Sequence, residues 1–324
     1  MPNALQSPVP LTEQSDDATD GLREILAGLS HEPKFVSSKF FYDERGSELF
    51  EQICELPEYY LTQTELGIMH ANIGEMATAV GPEASLIEFG SGSSTKIRIL
   101  LENLQSLAAY VPVDISRNYL VVAADRVQRE FPDVEVLPVA ADFTQPFDLP
   151  NPKVMPVRNV VYFPGSTIGN FSTDAAQNLL RVMHQEAGEN GALLIGIDRQ
   201  KDKSTLENAY NDSAGVTAKF NLNILRRINR EFGADFDLSR FRHRAIYNDA
   251  AGRIEMYLDS TCDQVVNIAG QKIAFTTDEA ILTEHSHKYT LEGFAKMVGN
   301  AGFSVHNIWS DPDEKFSVFY CLYG

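Results

Sequence analysis

Apolar and polar positions alternate between a strand pattern and a helix pattern through the middle of the chain. Leu86–Phe89 is a short apolar run of the kind that forms a buried strand. The apolar side chains after it recur at helical spacing, at Ile97, Leu100, Leu101 and Leu104. Because Ser94 and Thr95 are good N-cap residues, this helix is predicted to begin near them.

The same alternation continues as far as Asp198 and predicts four further strands. They are Ala109–Asp114, Val134–Phe143, Asn159–Phe163 and Gly191–Asp198. Strands that alternate with helices are typical of a parallel sheet covered by helices. Near the C-terminus, a helix to Val298 precedes a hairpin of Phe303–Ser310 and Phe316–Tyr323. We therefore predict an α/β protein with a Rossmann-like fold, whose mostly parallel seven-stranded sheet ends in an antiparallel hairpin.

Two stretches of the chain do not follow this alternation. Residues 1–18 are predicted to be a flexible tail, followed by a helix from Asp20. Asp202–Ala245 is predicted to be mostly helical. Antiparallel strands are predicted after it, at Arg253–Leu258, Val265–Ala269 and Gln271–Phe275. We interpret these stretches as a second, α+β domain.

The turn after the first strand of the sheet carries the first chemical signal. Gly90 and Gly92 permit a tight turn and a close approach of the backbone to a ligand. A dinucleotide-binding turn would have a third glycine where Thr95 stands. Glu88, just before the turn, would repel a pyrophosphate but suits a ligand with an amine or sulfonium charge. The pattern resembles the first motif of Rossmann-like S-adenosylmethionine-dependent methyltransferases.

Acidic residues at the ends of later strands point to the same edge of the sheet. Asp114 stands where a carboxylate can accept hydrogen bonds from both ribose hydroxyls. Asp142 and Phe143 form a pair suited to the amino edge and the face of adenine. Each acid alone is explained as well by a helix N-cap or a solvated turn. Their occurrence together, at the edge where such folds bind ligands, favours a nucleoside site.

Composition narrows the partners and the cellular setting. The formal net charge of −18 argues against a nucleic-acid partner, because such binders usually present a basic surface. The sequence has no apolar run long enough to span a membrane and no signal peptide at its polar, acidic start. The three cysteines are scattered without metal-binding spacing. We expect a cytoplasmic protein, a monomer, with no membrane or nucleic-acid partner.

Over most of its length, from about Ser37 to the end, the chain is similar to the histidine Nα-methyltransferases, which make the trimethylated histidine betaine (hercynine) used for ergothioneine. The motifs that carry the resemblance are Phe41-Tyr42-Asp43, Leu56-Pro57-Glu58-Tyr59-Tyr60, Gly165-Ser166-Thr167-Ile168-Gly169-Asn170, Ala209-Tyr210, Ala214-Gly215-Val216-Thr217, Arg253-Ile254-Glu255-Met256 and Leu282-Thr283-Glu284-His285-Ser286. The resemblance implies transfer of three methyl groups from S-adenosylmethionine to the α-amino nitrogen of free L-histidine.

The resemblance also implies roles for particular residues. The cofactor-binding residues are expected to be Gly90, Gly92, Lys96, Asp114, Asp142 and Phe143. The substrate-binding residues are expected to be Tyr59, Asn170, Tyr210, Met256, Glu284, Ser286 and Phe50. The residues expected around the amino group, as the catalytic set, are Tyr42, Gly165 and Thr167. The expected domains are a substrate-binding domain of residues 1–62 and 199–287 and a cofactor-binding domain of residues 63–198 and 288–324.

These residue types suit the chemistry. A carboxylate and a hydroxyl, such as Glu284 and Ser286, can bind the N–H and the bare nitrogen of an imidazole. Asn170 and Tyr210 offer donors to a carboxylate. Tyr42 is the candidate to steer the proton that leaves the amine, and no stronger general base stands out.

Three other interpretations remain. One is a related enzyme that methylates another amino acid, such as a tryptophan derivative, and another is a non-catalytic regulator that binds S-adenosylmethionine. The third treats His285 and His287 with Glu284 as a metal site. If these residues form a strand, its alternation turns the two histidines away from the face of Glu284 and Ser286. We therefore expect no metal.

Overall fold

Helices and strands follow one another through residues 15–91 and 95–324, which are the residues that the computed structural model describes. The α-helices are α1 (Ser15–Leu29), α2 (Glu44–Cys54), α3 (Tyr60–Val80), α4 (Thr95–Asn103), α5 (Arg117–Glu130), α6 (Thr173–Ala187), α7 (Lys203–Tyr210), α8 (Val216–Phe232) and α9 (Leu291–Asn300). The β-strands are β1 (Lys34–Phe35), β2 (Ala84–Phe89), β3 (Ala109–Asp114), β4 (Val139–Ala140), β5 (Arg158–Phe163), β6 (Ala192–Asp198), β7 (Phe241–Asn248), β8 (Arg253–Ser260), β9 (Gln264–Ile268), β10 (Gln271–Phe275), β11 (Ala280–His287), β12 (Phe303–Ser310) and β13 (Phe316–Tyr323).

The largest sheet has seven strands in the order β12-β13-β6-β5-β2-β3-β4. The five strands from β6 to β4 pair in parallel, whereas β13 is antiparallel to both β6 and β12. The predicted fold class is therefore confirmed. The chain leaves β2 toward β3 on one side and later returns to β5 on the other, so the strand order reverses at β2. Ligands of such sheets bind beyond the carboxyl end of the strands at this point, which is where Gly90 follows β2.

The central strands β2, β3, β5 and β6 are largely buried on both faces of the sheet, which explains why they are apolar runs in the sequence. Alternate residues of one strand point to opposite faces, so Ile87 and Phe89 pack with α6 and α9 residues in one core. Leu86 packs with α3 and α4 residues in the other core. Two apolar layers of this kind, rather than one, fix the strand register, because a shift by one residue would exchange the layers.

Three elements differ most from the sequence-based prediction. Helix α1 begins at Ser15, not Asp20, so part of the expected tail is helical. The third strand, expected over Val134–Phe143, is reduced to β4, because Pro138 has no N–H to donate to the ladder. The helix expected to reach Ala245 ends at Phe232, since Gly233 follows in the left-handed region with φ 62°.

A second sheet has four strands in the order β1-β11-β8-β7, and β9 and β10 form an antiparallel hairpin. The described chain divides into two compact units. The smaller unit comprises residues 15–49, 218–244 and 256–284, and the larger unit comprises 50–91, 95–217, 245–255 and 285–324. The predicted assignment of substrate-binding and cofactor-binding domains stays a prediction. Within the described part of the chain, no helix has both the length and the apolar character needed to cross a bilayer.

Candidate active site

In the larger unit, the glycine turn at the end of β2 leaves space beside its backbone. Gly90 has φ 76°, a conformation that side chains other than glycine rarely adopt. A Cβ at this position would lie 3.7 Å from the Phe143 ring, so the structure brings these two predicted cofactor residues together. Gly92, also predicted, lies outside the described residues. The buried Ser91 hydroxyl has no hydrogen-bond partner among residues 15–91 and 95–324, as expected of a group that a ligand would satisfy.

The other predicted nucleoside-binding residues lie at the neighbouring strand ends. The Asp114 carboxylate accepts a hydrogen bond from the backbone amide of Ser116 at 2.8 Å, and burial raises its pKa above the usual value. Asp142 is exposed and accepts from the amide and the hydroxyl of Thr144, as in a local turn. The ring of Phe143 is half-buried, 5.5 Å from that of Phe89. Both carboxylates are thus held at fixed positions near the carboxyl edge of the sheet.

A buried carboxylate that the sequence did not reveal connects two predicted site residues. Glu65, on α3, forms an ion pair with Lys96. It also accepts the backbone amide of Gly165 at 2.9 and 3.0 Å. The Glu65 side chain is only 2% exposed, so this pair depends on its hydrogen bonds for compensation. No motif near Glu65 indicates that it belongs to the site. The one signal in the sequence is that this acid occupies a position that is otherwise apolar on its helix.

A second buried cluster surrounds the predicted substrate residues Tyr210 and Ser286. Their hydroxyl oxygens are 2.8 Å apart. The Lys288 ammonium donates to Tyr210 Oη at 3.0 Å and to Ser286 Oγ at 2.9 Å. It also pairs with Asp198 Oδ2 at 2.8 Å, and both charged side chains are fully buried. Burial alone would lower the pKa of Lys288, but Asp198 and Tyr210 outweigh burial and raise it above the usual value.

Asp198 has further partners on its other side. Tyr60 donates its hydroxyl to the Asp198 carboxylate at 2.8 and 2.9 Å. Lys201 donates to Asp198 Oδ1 at 2.5 Å and to the Tyr60 hydroxyl at 2.7 Å. Burial lowers the pKa of Lys201 to about 8, against the attraction of Asp198. At neutral pH, two ammonium groups therefore contact the Asp198 carboxylate.

The loop after β5 packs directly against the end of β11. A Cβ on Gly169 would lie 2.7 Å from the His287 carbonyl oxygen, so only glycine allows this approach. The loop thereby holds Asn170 near the strand end that carries Ser286. In the same loop the Thr167 hydroxyl donates to the Pro164 carbonyl at 2.9 Å, and the Ser166 hydroxyl accepts from the Asp198 amide at 2.8 Å.

Two predicted aromatic residues extend this cluster. The buried Tyr59 ring lies edge-on to Tyr210, with ring centres 6.0 Å apart, and edge-on to Phe50 at 6.3 Å. The larger unit thus brings together Phe50, Tyr59, Tyr210 and Ser286 of the predicted substrate set. Their roles stay predictions, but their proximity was not evident from positions so far apart in sequence.

The smaller unit contains the remaining predicted residues, Tyr42, Met256 and Glu284. Tyr42 is 44% exposed, and its ring lies 5.9 Å from that of Phe220 on α8. Met256 is buried, and its carbonyl accepts from the Thr283 hydroxyl at 3.1 Å. Glu284 lies on β11 and is half-buried. Each of these side chains is therefore held on a regular element or in a short turn.

Asp43 fixes the turn that presents Tyr42. Its carboxylate accepts from the Gly46 amide at 2.7 Å, from Asn223 at 2.8 Å and from Arg230 at 2.8 Å. Burial alone would raise the pKa of Asp43, but these hydrogen bonds hold it below the usual value. The turn that carries Tyr42 is thus tied to α8 by two contacts and to the first turn of α2 by one.

His285 and His287 lie next to each other, with ring centres 6.1 Å apart. Burial, together with the nearby Arg253 guanidinium, lowers the pKa of His287 to about 4. Neither Nε2 atom has a hydrogen-bond partner in the described structure. Among residues 15–91 and 95–324, no three His, Cys, Asp or Glu side chains are grouped so that they could hold a metal ion.

The sheet order and the residues at its carboxyl edge are those of a Rossmann-like nucleotide-binding enzyme. Comparison with known proteins makes the class specific. The family described as "Histidine-specific methyltransferase, SAM-dependent" matches residues 22–322. A histidine N-alpha-methyltransferase of Mycolicibacterium smegmatis is 38% identical over 94% of this chain and 95% of its own length. One of Mycobacterium tuberculosis is 38% identical over 91% and 92%, respectively.

A third relative, ergothioneine biosynthesis protein 1 of Neurospora crassa, is 30% identical over 87% of this chain and 32% of its own length. The fold and these matches define a methyltransferase whose cofactor is S-adenosylmethionine. The chain belongs to the family of histidine-specific, S-adenosylmethionine-dependent methyltransferases.

Proposed function

We propose that this protein transfers methyl groups from S-adenosylmethionine to the α-amino nitrogen of L-histidine, three times, and so makes histidine betaine for ergothioneine biosynthesis. Two relatives that are histidine N-alpha-methyltransferases align with nearly the whole chain, which supports the proposal. The observation that carries it is strand β11, on which Glu284 and Ser286 stand two residues apart. Side chains at this spacing share one face of a strand, and a carboxylate beside a hydroxyl matches the two nitrogens of an imidazole.

The residues at the sheet edge fit the cofactor. Asp114 would accept the ribose hydroxyls, and Asp142 with Phe143 would contact adenine. Gly90 would admit the cofactor close to the backbone, with Gly92 and Lys96 in the same loop-helix segment. The unpartnered Ser91 hydroxyl is a further group that the cofactor could satisfy. When bound, S-adenosylmethionine supplies a methyl group on a positively charged sulfur.

The substrate would be held at its two ends. Glu284 accepts the imidazole N–H, while Ser286 donates to the bare nitrogen, with Met256, Tyr59 and Phe50 as walls. Asn170 and Tyr210 donate to the carboxylate. A ligand without imidazole nitrogens would offer Glu284 no N–H to accept from and Ser286 no nitrogen to donate to, which is a strong basis for rejecting apolar analogues. Holding both ends fixes the amine, and for a displacement of this kind positioning is the main catalytic contribution.

The third group of residues concerns the amine itself. A free α-amine is mostly protonated at neutral pH, so a proton must leave before each of the transfers that need a lone pair. We assign to Tyr42 the role of directing this proton away from the amine, and we place Gly165 and Thr167 beside the amine. Aromatic side chains such as Tyr42 and Phe50 also tolerate the quaternary ammonium product through cation–π attraction.

Calorimetry in the presence of S-adenosylhomocysteine tests the proposal. Wild-type protein should bind histidine and not tryptophan, and mass spectrometry of the reaction with S-adenosylmethionine should show three added methyl groups. Glu284→Ala should lose histidine affinity by roughly 100-fold, as expected when a charged hydrogen bond is removed, while S-adenosylhomocysteine affinity persists. His285→Gln, on the next residue of the strand, is the control. Preferential binding of tryptophan would replace this proposal with the alternative amino acid, and binding of the cofactor without turnover would indicate a regulator.

The setting of the protein is also proposed. All three cysteines are free thiols, which supports a reducing, cytoplasmic location. We propose a monomer that acts on free histidine without a nucleic-acid partner. Light scattering at assay concentration gives the mass that tests this.

A further inference from the structure

Lys288 fixes the direction of the hydrogen bonds around the predicted substrate residues. An ammonium group has three hydrogens to donate and no lone pair to accept with. Its three contacts, with Asp198 Oδ2, Tyr210 Oη and Ser286 Oγ, are all within 3.0 Å. Each of these three oxygens is therefore an acceptor toward Lys288.

This direction leaves the hydroxyl hydrogens of Tyr210 and Ser286 pointing elsewhere. The two oxygens are 2.8 Å apart, so one hydroxyl donates to the other in the structure without ligand. The proposed function requires two donations to substrate, one to the carboxylate and one to the bare imidazole nitrogen. Two hydroxyls have only two hydrogens, so both donations are possible only when the Tyr210–Ser286 hydrogen bond opens.

We propose that Lys288 is a positioning residue that commits both Tyr210 and Ser286 to donate to the substrate. This inference rests on the proposed function, which assigns the two hydroxyls to opposite ends of histidine. Lys288 keeps both oxygens in place while their mutual hydrogen bond opens, because its contacts to them do not use their hydrogens. A hydroxyl that accepts from an ammonium is also a stronger donor, since hydrogen bonds in a chain polarise one another.

The surroundings of Lys288 suit this role. The side chain is fully buried, so it has no competing contact with solvent. Asp198 supplies the opposite charge that makes burial of an ammonium tolerable. Asp198 is in turn held by Lys201, which contacts its other oxygen, Oδ1, and by the Tyr60 hydroxyl, which contacts both oxygens. The site therefore selects a ligand with an acceptor at each end.

The test compares Lys288→Met with Lys201→Met. Both variants remove one ammonium contact from Asp198, but Lys201 contacts Asp198 and Tyr60 and not the two hydroxyls. Dissociation constants are measured by calorimetry with S-adenosylhomocysteine present, for histidine and for histamine, which lacks the carboxylate. KM and kcat for histidine are measured as well.

In Lys288→Met we expect the dissociation constant and KM for histidine to rise roughly 100-fold, with a smaller change in kcat. Histamine would accept a hydrogen bond only from Ser286, so its dissociation constant should rise about 10-fold. The affinity for S-adenosylhomocysteine should change less than about 3-fold. Lys201→Met should change histidine affinity less than about 3-fold. Unchanged histidine affinity in Lys288→Met, or equal losses for histidine and histamine, would overturn the inference. Equal losses of histidine affinity in the two lysine variants would also overturn it.

Removing one member of a buried ion pair can prevent folding, so the double variant Asp198→Asn/Lys288→Met is a second measure. It removes both charges of the ion pair, and its loss of affinity should again be larger for histidine than for histamine. If this variant bound histidine with wild-type affinity, the positioning role proposed for Lys288 would be wrong. A wild-type protein that binds the cofactor but not histidine contradicts the proposed function instead, which separates the two failures.

Discussion

The carboxylate of Glu65 accepts the backbone amide of Gly165 through both of its oxygens, at 3.0 and 2.9 Å. The same carboxylate is paired with Lys96 on α4. One buried side chain on α3 thus connects the helix that follows the glycine turn with the loop that follows β5. Both connected positions belong to the predicted site, so the geometry of that site depends on an acid outside it.

Glu65→Gln should weaken both stability and cofactor binding. The amide keeps an oxygen for Gly165 but removes the charge that compensates Lys96. Breaking a buried pair by neutralising one partner costs about 3–5 kcal/mol, so the free energy of unfolding in urea should fall by a similar amount. The dissociation constant for S-adenosylhomocysteine should rise roughly 10-fold, because Lys96 loses its fixed orientation.

Glu75→Gln is the matched control, since Glu75 is on the same helix but is exposed and accepts from the Trp309 indole N–H at 2.8 Å. It should change stability by about 1 kcal/mol or less. If Glu65→Gln and Glu75→Gln gave the same urea midpoint and the same affinity for S-adenosylhomocysteine, the claim that the Glu65 contacts stabilise the fold and the cofactor site would be wrong.

Gly196→Ala should disturb the same carboxylate from a different side. A Cβ at position 196 on β6 would lie 2.1 Å from Glu65 Oε1 and 2.9 Å from the Phe316 ring. Because a real Cβ does not approach so closely, Glu65 or the ring must move. Overpacking of a core usually costs about 1–3 kcal/mol, and displacement of a buried ion pair adds to that.

Thermal unfolding measures this effect, with Gly74→Ala as the control. Gly74 lies on α3 with nothing within 4 Å of an added Cβ, so alanine should stabilise that helix by about 0.5–1 kcal/mol. The two glycine substitutions should therefore shift the melting temperature in opposite directions. A Gly196→Ala protein that melts at or above the wild-type temperature would contradict the packing described for Glu65.

How far the sequence predicts this fold depends on how much of each strand is buried. The bounds predicted for Ala109–Asp114, Phe303–Ser310 and Phe316–Tyr323 agree with β3, β12 and β13. Strands β3 and β13 are buried over most of their length, and apolar runs with flanking turns define the limits of such strands. Most positions of β12 are exposed, but it pairs as an antiparallel hairpin with β13, which sets its length. Strand β7 was missed because only three of its residues, Phe241, Ala245 and Tyr247, are buried, and the run Arg242-His243-Arg244 between them resembles a continued polar helix face.

The site shows a different limit. Gly90, Asp114 and the residues near them can be found from sequence because a turn or strand end defines their position. Glu65 and Lys288 cannot, because a charged residue is normally exposed and only tertiary contacts bury it. Their partners are distant in sequence, Gly165 for Glu65 and Tyr210 for Lys288. Family resemblance names the residues expected to contact ligands, and the buried contacts of this structure identify the residues that hold those side chains in place.

Glu88 provides a pH-dependent prediction. Its carboxyl is buried at the end of β2 and accepts a hydrogen bond from the Tyr110 hydroxyl. Burial raises its pKa to about 7, against the opposing effects of that hydrogen bond and of Lys96. The sequence suggested an acid that faces a positively charged ligand, whereas the structure places its side chain in the protein interior.

A carboxyl whose pKa is higher in the folded state than in the unfolded state destabilises the protein as pH rises. Between about pH 4.5 and pH 7 the unfolded chain releases this proton and the folded protein retains it, so the free energy of unfolding falls by about 1.4 kcal/mol per pH unit. The contribution of Glu88 is fully present below that range and lost above it.

Glu88→Gln removes the titration, so its stability relative to wild type should rise by roughly 3 kcal/mol from pH 4.5 to pH 7 and then level off. Urea unfolding at half-unit pH intervals measures this difference. Tyr110→Phe removes the donor that favours the charged form, and it should extend the decline in stability to higher pH. A stability difference between Glu88→Gln and wild type that does not change with pH would show that Glu88 titrates normally in the folded protein.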